Sequence, residues 1–340
     1  MHGTQRHWIT FVSTITVVVL CSALLSAQTN PTGNEWTAPR TSFGQPDLQG
    51  VWANNNATPL QRPEVLADRA HLTDEELSAI QSRADELFAL DGNDAAFGDS
   101  VFTAALAEAK NFTSRDRATG NYNQFWMVER DWDNRTSLII DPQNGRLPER
   151  TQAAEMRASA ATMKRQRHAV WTNDRSLGER CVSFGAPRLG AGYNSYYQLF
   201  QTPNHVVIQM EMAHDARIIP LDGRPHVNED IRQWLGDSRG HWDGDTLVVE
   251  TKNYSPYANF MGAAEHLTVI EHFTRVSEDV LQYEVTLNDP TTWTRPWSAM
   301  IPLRRSEDAL YEYACHEGNI GMEGILSGAR HQEAQEAGGQ

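Results

Sequence analysis

Two stretches concentrate side chains that carry protons or stabilise charge. Glu211 to His226, EMAHDARIIPLDGRPH, holds Glu211, His214, Asp215, Arg217, Asp222, Arg224 and His226. It follows the apolar run VVIQM, and groups at the end of a strand sit at the rim of a sheet, where partial desolvation brings a histidine or carboxylate toward working pH. Neighbours on a strand face opposite ways, so His214 and Asp215 are not expected to bond each other. The second stretch, YEYACHEGN, runs from Tyr311 to Asn319 and sets Tyr311, Tyr313 and Cys315 on one face and Glu312, Ala314 and His316 on the other. The chemistry on offer is general acid and base catalysis. In that reading His214 is the base, Asp237 or Glu271 orients it or acts as acid, Arg217 and Arg239 stabilise negative charge, and His316 is a second proton carrier. Each stretch also has a structural alternative, a surface salt-bridge cluster around Leu221 to Arg224 in the first and a His316 that only caps a disulfide in the second.

A third stretch, GDSRGHWDGDTLVVET from Gly236 to Thr251, opens with the pattern of a nucleophile elbow around Ser238. An elbow needs a helix after the serine, to present amides to the oxyanion. Here the serine leads instead into Asp243-Gly244 and an apolar run, the marks of a hairpin, so the serine-hydrolase reading is set aside. In the hairpin reading Trp234 and Trp242 bracket the segment, and Asp237 and Arg239 either pair or point into a cavity. Asp237, Asp243 and Asp245 fit no calcium-loop spacing. Histidines 205, 214, 226, 241, 266, 272 and 316 lack the short-spaced pairs of a recognisable zinc site, so no metal and no cofactor is assigned. Tyr196, Met212, Trp242, Tyr283, Trp297 and Tyr313 suit a core, and equally an apolar or aromatic ligand.

The framework that holds these groups is read from the rest of the chain. Its 340 residues, 40% hydrophobic and 21% charged, suffice for a substantial core. A net charge of -15 argues against nucleic acid as a partner. Residues 1–27, with Arg6, an apolar run and Leu25-Ser26-Ala27, read as a cleaved secretory signal, so the chain is expected to be exported, periplasmic or secreted, with no membrane span once the signal is removed. That leaves Cys181 and Cys315, most simply a disulfide in an oxidising compartment, with two buried thiols as the alternative. Residues 28–70, rich in Pro, Gly, Asn and Thr, read as an irregular arm. Residues 71–192 read as mainly helical, with a capping box at Thr73 and Glu76, a second helix near 99–110, a strand over 136–140 and a surface helix over 150–168. Residues 193–328 alternate in strand fashion, with strands expected over 195–201, 205–212, 216–220, 245–252, 266–276, 280–288, 297–304 and 309–316. Residues 329–340 read as a disordered tail. The fold class expected is α+β, with a C-terminal antiparallel β-barrel or strongly curved sheet, the arm and helices packed around it and one small ligand in the interior.

The runs YYQLFQTPNHVVIQMEMAHDARIIPLDGRPH, RQWLGDSRGHWDGDTLVVETKNY, DPTTWTRPW and YEYACHEGN, together with FGQPDLQGVW and ERCV, resemble a widespread family of exported, mostly uncharacterised bacterial proteins. The resemblance covers most of the chain after residue 27. It implies export and a body like a lipocalin-like barrel, and no particular reaction. The functional expectation is an exported enzyme performing elimination, isomerisation, cyclisation or hydrolysis on a small, mainly apolar molecule, or else a non-catalytic carrier of such a ligand.

Overall fold

The computed structural model describes residues 36–89, 93–113 and 127–338. The expected signal segment, 1–27, lies outside them. Two layers of the sequence pattern become two cores. Helix α1 (Asp74–Phe88) begins at the capping box, with the Glu76 amide donating to Thr73 Oγ1 at 3.3 Å and the Thr73 amide to Glu76 Oε2 at 2.9 Å. Its buried stripe, Ile80, Ala84 and Leu87, packs on Val101, Phe102 and Ala105 of α2 (Ser100–Leu106), making the smaller core.

The larger core belongs to one ten-stranded antiparallel sheet. Its strands are β1 (Gly50–Ala53), β2 (Ile139–Asp141), β3 (Tyr196–Gln201), β4 (His205–Met210), β5 (Ala216–Pro220), β6 (Asp237–Asp243), β7 (Thr246–Lys252), β8 (Thr268–Arg275), β9 (Val280–Asn288) and β10 (Trp297–Ser306). They pair in the order β5-β4-β3-β1-β10-β9-β8-β7-β6, with β2 beside β10. The arm is therefore not irregular throughout, because β1 sits between β3 and β10 in mid-sheet. β10 is long enough for β1 and β2 to share one of its edges, at Arg304–Ser306 and Ser298–Ala299, while β9 fills the other.

The sheet is strongly curved and is not closed by hydrogen bonds. Nine strands alternating in direction leave the two ends, β5 and β6, pointing the same way. A parallel pair needs a long crossover rather than a tight turn, and residues 221–236 supply it. The two edges meet through side chains. A Cβ on Gly240 would lie 2.8 Å from both Ile219 Cγ2 and Leu221 Cδ2, so only glycine allows β5 to approach β6 this closely.

Alternation fills the concave side. Leu199, Val206, Ile208, Ile219, Leu247, Val249, Val269, Leu281, Val285 and Ile301 are buried there, and Phe273 stacks on Tyr283 at 4.7 Å. The expected ligand-holding interior is thus a packed core, since inward Leu, Ile and Val from both sides of the curve consume its volume.

Other expectations also change. The β6–β7 hairpin turns on Gly244-Asp245 rather than Asp243-Gly244, because Asp243 pairs with Thr246; Gly244, with φ +57°, takes the first central position, as in a type II′ turn. Residues 309–316 form no strand, and the segment expected as a disordered tail is helical to residue 338, within α4 (Ile320–Gly338). Surface helix α3 (Gln152–Arg165) is capped by Thr151, and Arg330 of α4 donates to the Ala169 and Val170 carbonyls just beyond it. The Cys181–Cys315 disulfide is present and ties the 173–186 loop to the segment preceding α4. Among the described residues no helix is long and apolar enough to cross a membrane.

Candidate functional site

The buried chemistry gathers where the two edges of the sheet meet. Arg217 projects inward from β5, and its Nη1 donates to Glu271 Oε1 on β8 at 2.9 Å while Nη2 closes a bidentate pair with Oε2. The same Nη2 reaches Ser238 Oγ on β6 at 3.2 Å and Thr251 Oγ1 on β7 at 3.0 Å. Tyr283 on β9 donates to Glu271 Oε1 at 2.8 Å. Arg217 thus staples the seam that backbone hydrogen bonds leave open. Glu271 is only 1% and Arg217 6% exposed. Burial alone disfavours the guanidinium charge, but the adjoining Glu271 carboxylate outweighs it and holds the Arg217 pKa above its ordinary value. Burial, with Glu271 adding to it, pushes the Tyr283 phenol well above its usual range, and burial raises Tyr197 to about 12. These phenols act as donors at neutral pH, not as bases.

Ser238 belongs to this network. It is 6% exposed, exchanges a 2.9 Å hydrogen bond with Thr251 and sits in a strand that runs directly into a hairpin. No helix follows it, so the geometry is not that of a nucleophile elbow.

Asp237 and Arg239 alternate to the opposite, outer face. Asp237 accepts from Arg239 Nη1 at 2.7 Å and the Val227 amide at 3.0 Å, and its Oδ2 lies 2.8 Å from His226 Nδ1. His226 is also 3.1 Å from Glu250, which pairs with Lys252. The six expected catalytic residues therefore separate into an inner set (Arg217, Glu271), an outer set (Asp237, Arg239), His214 at the β4–β5 turn and an exposed His316. On β6 one residue decides the division, since Ser238 faces the inner network and its neighbours Asp237 and Arg239 face away from it.

The β4–β5 turn has a geometry of its own. Ala213 and His214 have φ of +59° and +54°, a left-handed pair unusual for residues other than glycine. The turn leaves Glu211 buried with Oε2 unpartnered, and burial raises its pKa. Asp215 accepts from Ser183 Oγ at 2.9 Å and the Phe184 amide at 3.2 Å, yet burial still raises its carboxyl above the usual range.

Two adjoining recesses open at this end of the sheet and share Ser183 and Trp234 in their walls. The smaller, about 540 Å³, lies between the first residues of β5 and β6 and is lined by Asp215, Arg217, Arg232, Trp234, Asp237 and Ser238 among others. The larger, about 1230 Å³, is bounded by the end of α3, the 173–186 loop and the β7–β8 connection. Tyr254, Tyr257, Phe260 and Leu267 line it from that connection. Tyr254 is 2% exposed, and its hydroxyl, near Thr251, makes no hydrogen bond of ordinary geometry.

Of the expected catalytic residues, Arg217 and Asp237 line the smaller recess and the rest line neither. None of the expected ligand contacts Tyr196, Met212, Trp242, Tyr283, Trp297 and Tyr313 lines either recess. Tyr283 and Trp297 are core, the latter packed edge-on against Trp293, and Tyr313 packs edge-on against Phe184. The residues that do line the larger recess carried one overlooked signal: Tyr254, Tyr257 and Phe260 recur every third position in a proline-containing connection between strands. Among the described residues no group of three or more His, Cys, Asp or Glu is placed to hold a metal ion. No known protein family, curated protein or solved structure compared with this chain matches it.

Proposed function

We propose that the protein is an exported carrier of a small organic ligand, held in the larger recess at the end of the curved sheet. The observation that carries this reading is a concave site of about 1230 Å³ with aromatic walls. Because the interior of the curved sheet is packed, this reading seats the ligand at the end of the sheet rather than inside it. The disulfide and the lack of a membrane-crossing helix among the described residues are compatible with export. The family resemblance carried by the β6–β7 hairpin and the Tyr311–Asn319 segment points the same way. Titration with N-phenyl-1-naphthylamine, a neutral fluorescent probe, tests the site. Saturable binding at one probe per chain is expected, and Ala264→Trp, which fills the larger recess, should abolish it. Binding unaffected by Ala264→Trp removes the proposal.

Acid and base catalysis is the second reading, favoured by one observation: Asp215, with a carboxyl whose pKa burial raises, lines the smaller recess beside Arg217. In that case Asp215 holds the proton and Arg217 faces developing negative charge. Native mass spectrometry of the purified chain identifies any co-purifying molecule. Asp215→Asn should then stop its conversion while leaving its binding intact. A ligand returned unchanged by the wild-type protein favours the carrier.

A further inference from the structure

Charge is distributed unevenly between the larger recess and the protein as a whole. The chain carries a formal charge of -15, yet the recess is lined by four basic side chains, Lys164, Arg165, Arg175 and Arg180, and two carboxylates, Asp174 and Glu179. The carboxylates are already engaged, Asp174 with Lys164 at 2.9 Å and Glu179 with Arg175. Arg165 and Arg180 have no ion pair or side-chain hydrogen bond among the described residues. A local cationic excess on an acidic protein attracts anions, and a guanidinium binds carboxylate, sulfonate or phosphate through paired N–H donors. The lining also holds aromatic residues open to water. Trp234 is 39% and Tyr257 77% exposed there, aromatic surface that a flat or acyl body would cover.

We infer that the ligand is an amphiphilic organic anion, its apolar body against Trp234, Tyr257 and Phe260 and its acidic group at Arg165 and Arg180. This rests on the carrier reading and narrows it to a ligand class. The test uses two probes with one aromatic skeleton, 8-anilino-1-naphthalenesulfonate and the neutral N-phenyl-1-naphthylamine, on the full purified chain. The sulfonate should bind more tightly, at one per chain, and weaken as salt rises from low to physiological strength. The double substitution Arg165→Gln with Arg180→Gln should lower sulfonate affinity by on the order of tenfold or more and leave the neutral probe unchanged. An unchanged urea midpoint establishes that this variant is folded. Sulfonate affinity that survives the double substitution and rising salt overturns the anion class and leaves the carrier standing. If neither probe binds, or Ala264→Trp affects neither, the recess is not a ligand site and both proposals fall.

Discussion

Removing either member of the Arg217–Glu271 pair should be among the most damaging single changes this protein accepts. Both groups are nearly inaccessible, and each is the other's only oppositely charged neighbour in the seam network. Glu271→Leu would leave a guanidinium charged and buried, with only the Ser238 and Thr251 hydroxyls for partners, and Arg217→Met would leave a carboxylate with only Tyr283. Stranding a buried charge costs about 3–5 kcal/mol. At roughly 2 cal/mol/K of unfolding entropy per residue, a chain of this size loses about 4–7 °C in Tm for that amount. Replacing both together should recover much of the loss, because two apolar groups need no desolvation compensation. Urea unfolding followed by tryptophan fluorescence, run as a double-mutant cycle, measures all three changes. Single variants within about 1 kcal/mol of wild type, or a double variant less stable than either single one, would refute the staple.

Four further outcomes rest on the same geometry. Gly240→Ala should destabilise by about 1–3 kcal/mol, since its Cβ would meet Ile219 and Leu221 at 2.8 Å; a neutral effect in urea unfolding would mean the seam is looser than described. Reducing Cys181–Cys315, which spans 134 residues, should lower stability by up to about 5 kcal/mol by freeing the unfolded chain, measured as the urea midpoint with and without reductant; an unmoved midpoint would show the tie contributes nothing. Glu211→Gln should stabilise at neutral pH. A carboxyl with a raised folded-state pKa favours folding fully below its ordinary value near 4.5 and loses that contribution as pH rises through the folded value, so the variant's advantage should shrink on acidification; an advantage that grows in acid contradicts this sign. A fluorophosphonate probe should leave Ser238 unlabelled, because its hydroxyl is buried and bonded to Arg217 and Thr251; covalent labelling found by mass spectrometry would restore the hydrolase reading.

Local signals sufficed where the responsible physics was local. The capping box fixed the start of α1, period-two alternation marked the strands that became β8 and β9, and a turn with no helix after it excluded an elbow at Ser238. The disulfide was legible because two cysteines remain once the expected signal is excluded. Arg217 and Glu271 were legible as chemistry-bearing residues, though not as each other's partners.

What remained hidden depended on which distant segments share volume. Nothing within Gly50–Ala53 identifies a central strand, because its worth comes from the free edge of β10, some 250 residues away. The seam between β5 and β6 arises only when the order of nine strands is complete, and that order alone turns Gly240, Ile219 and Arg217 into neighbours. Whether inward aliphatic side chains leave a hollow or fill it is a matter of curvature and summed volume, which alternation along one strand does not encode. Sequence determined most of the C-terminal strands, though not β1 or β6, through backbone geometry and burial of apolar surface. Tertiary structure alone decided that the sheet curls onto its own core, and that the open space lies at its rim.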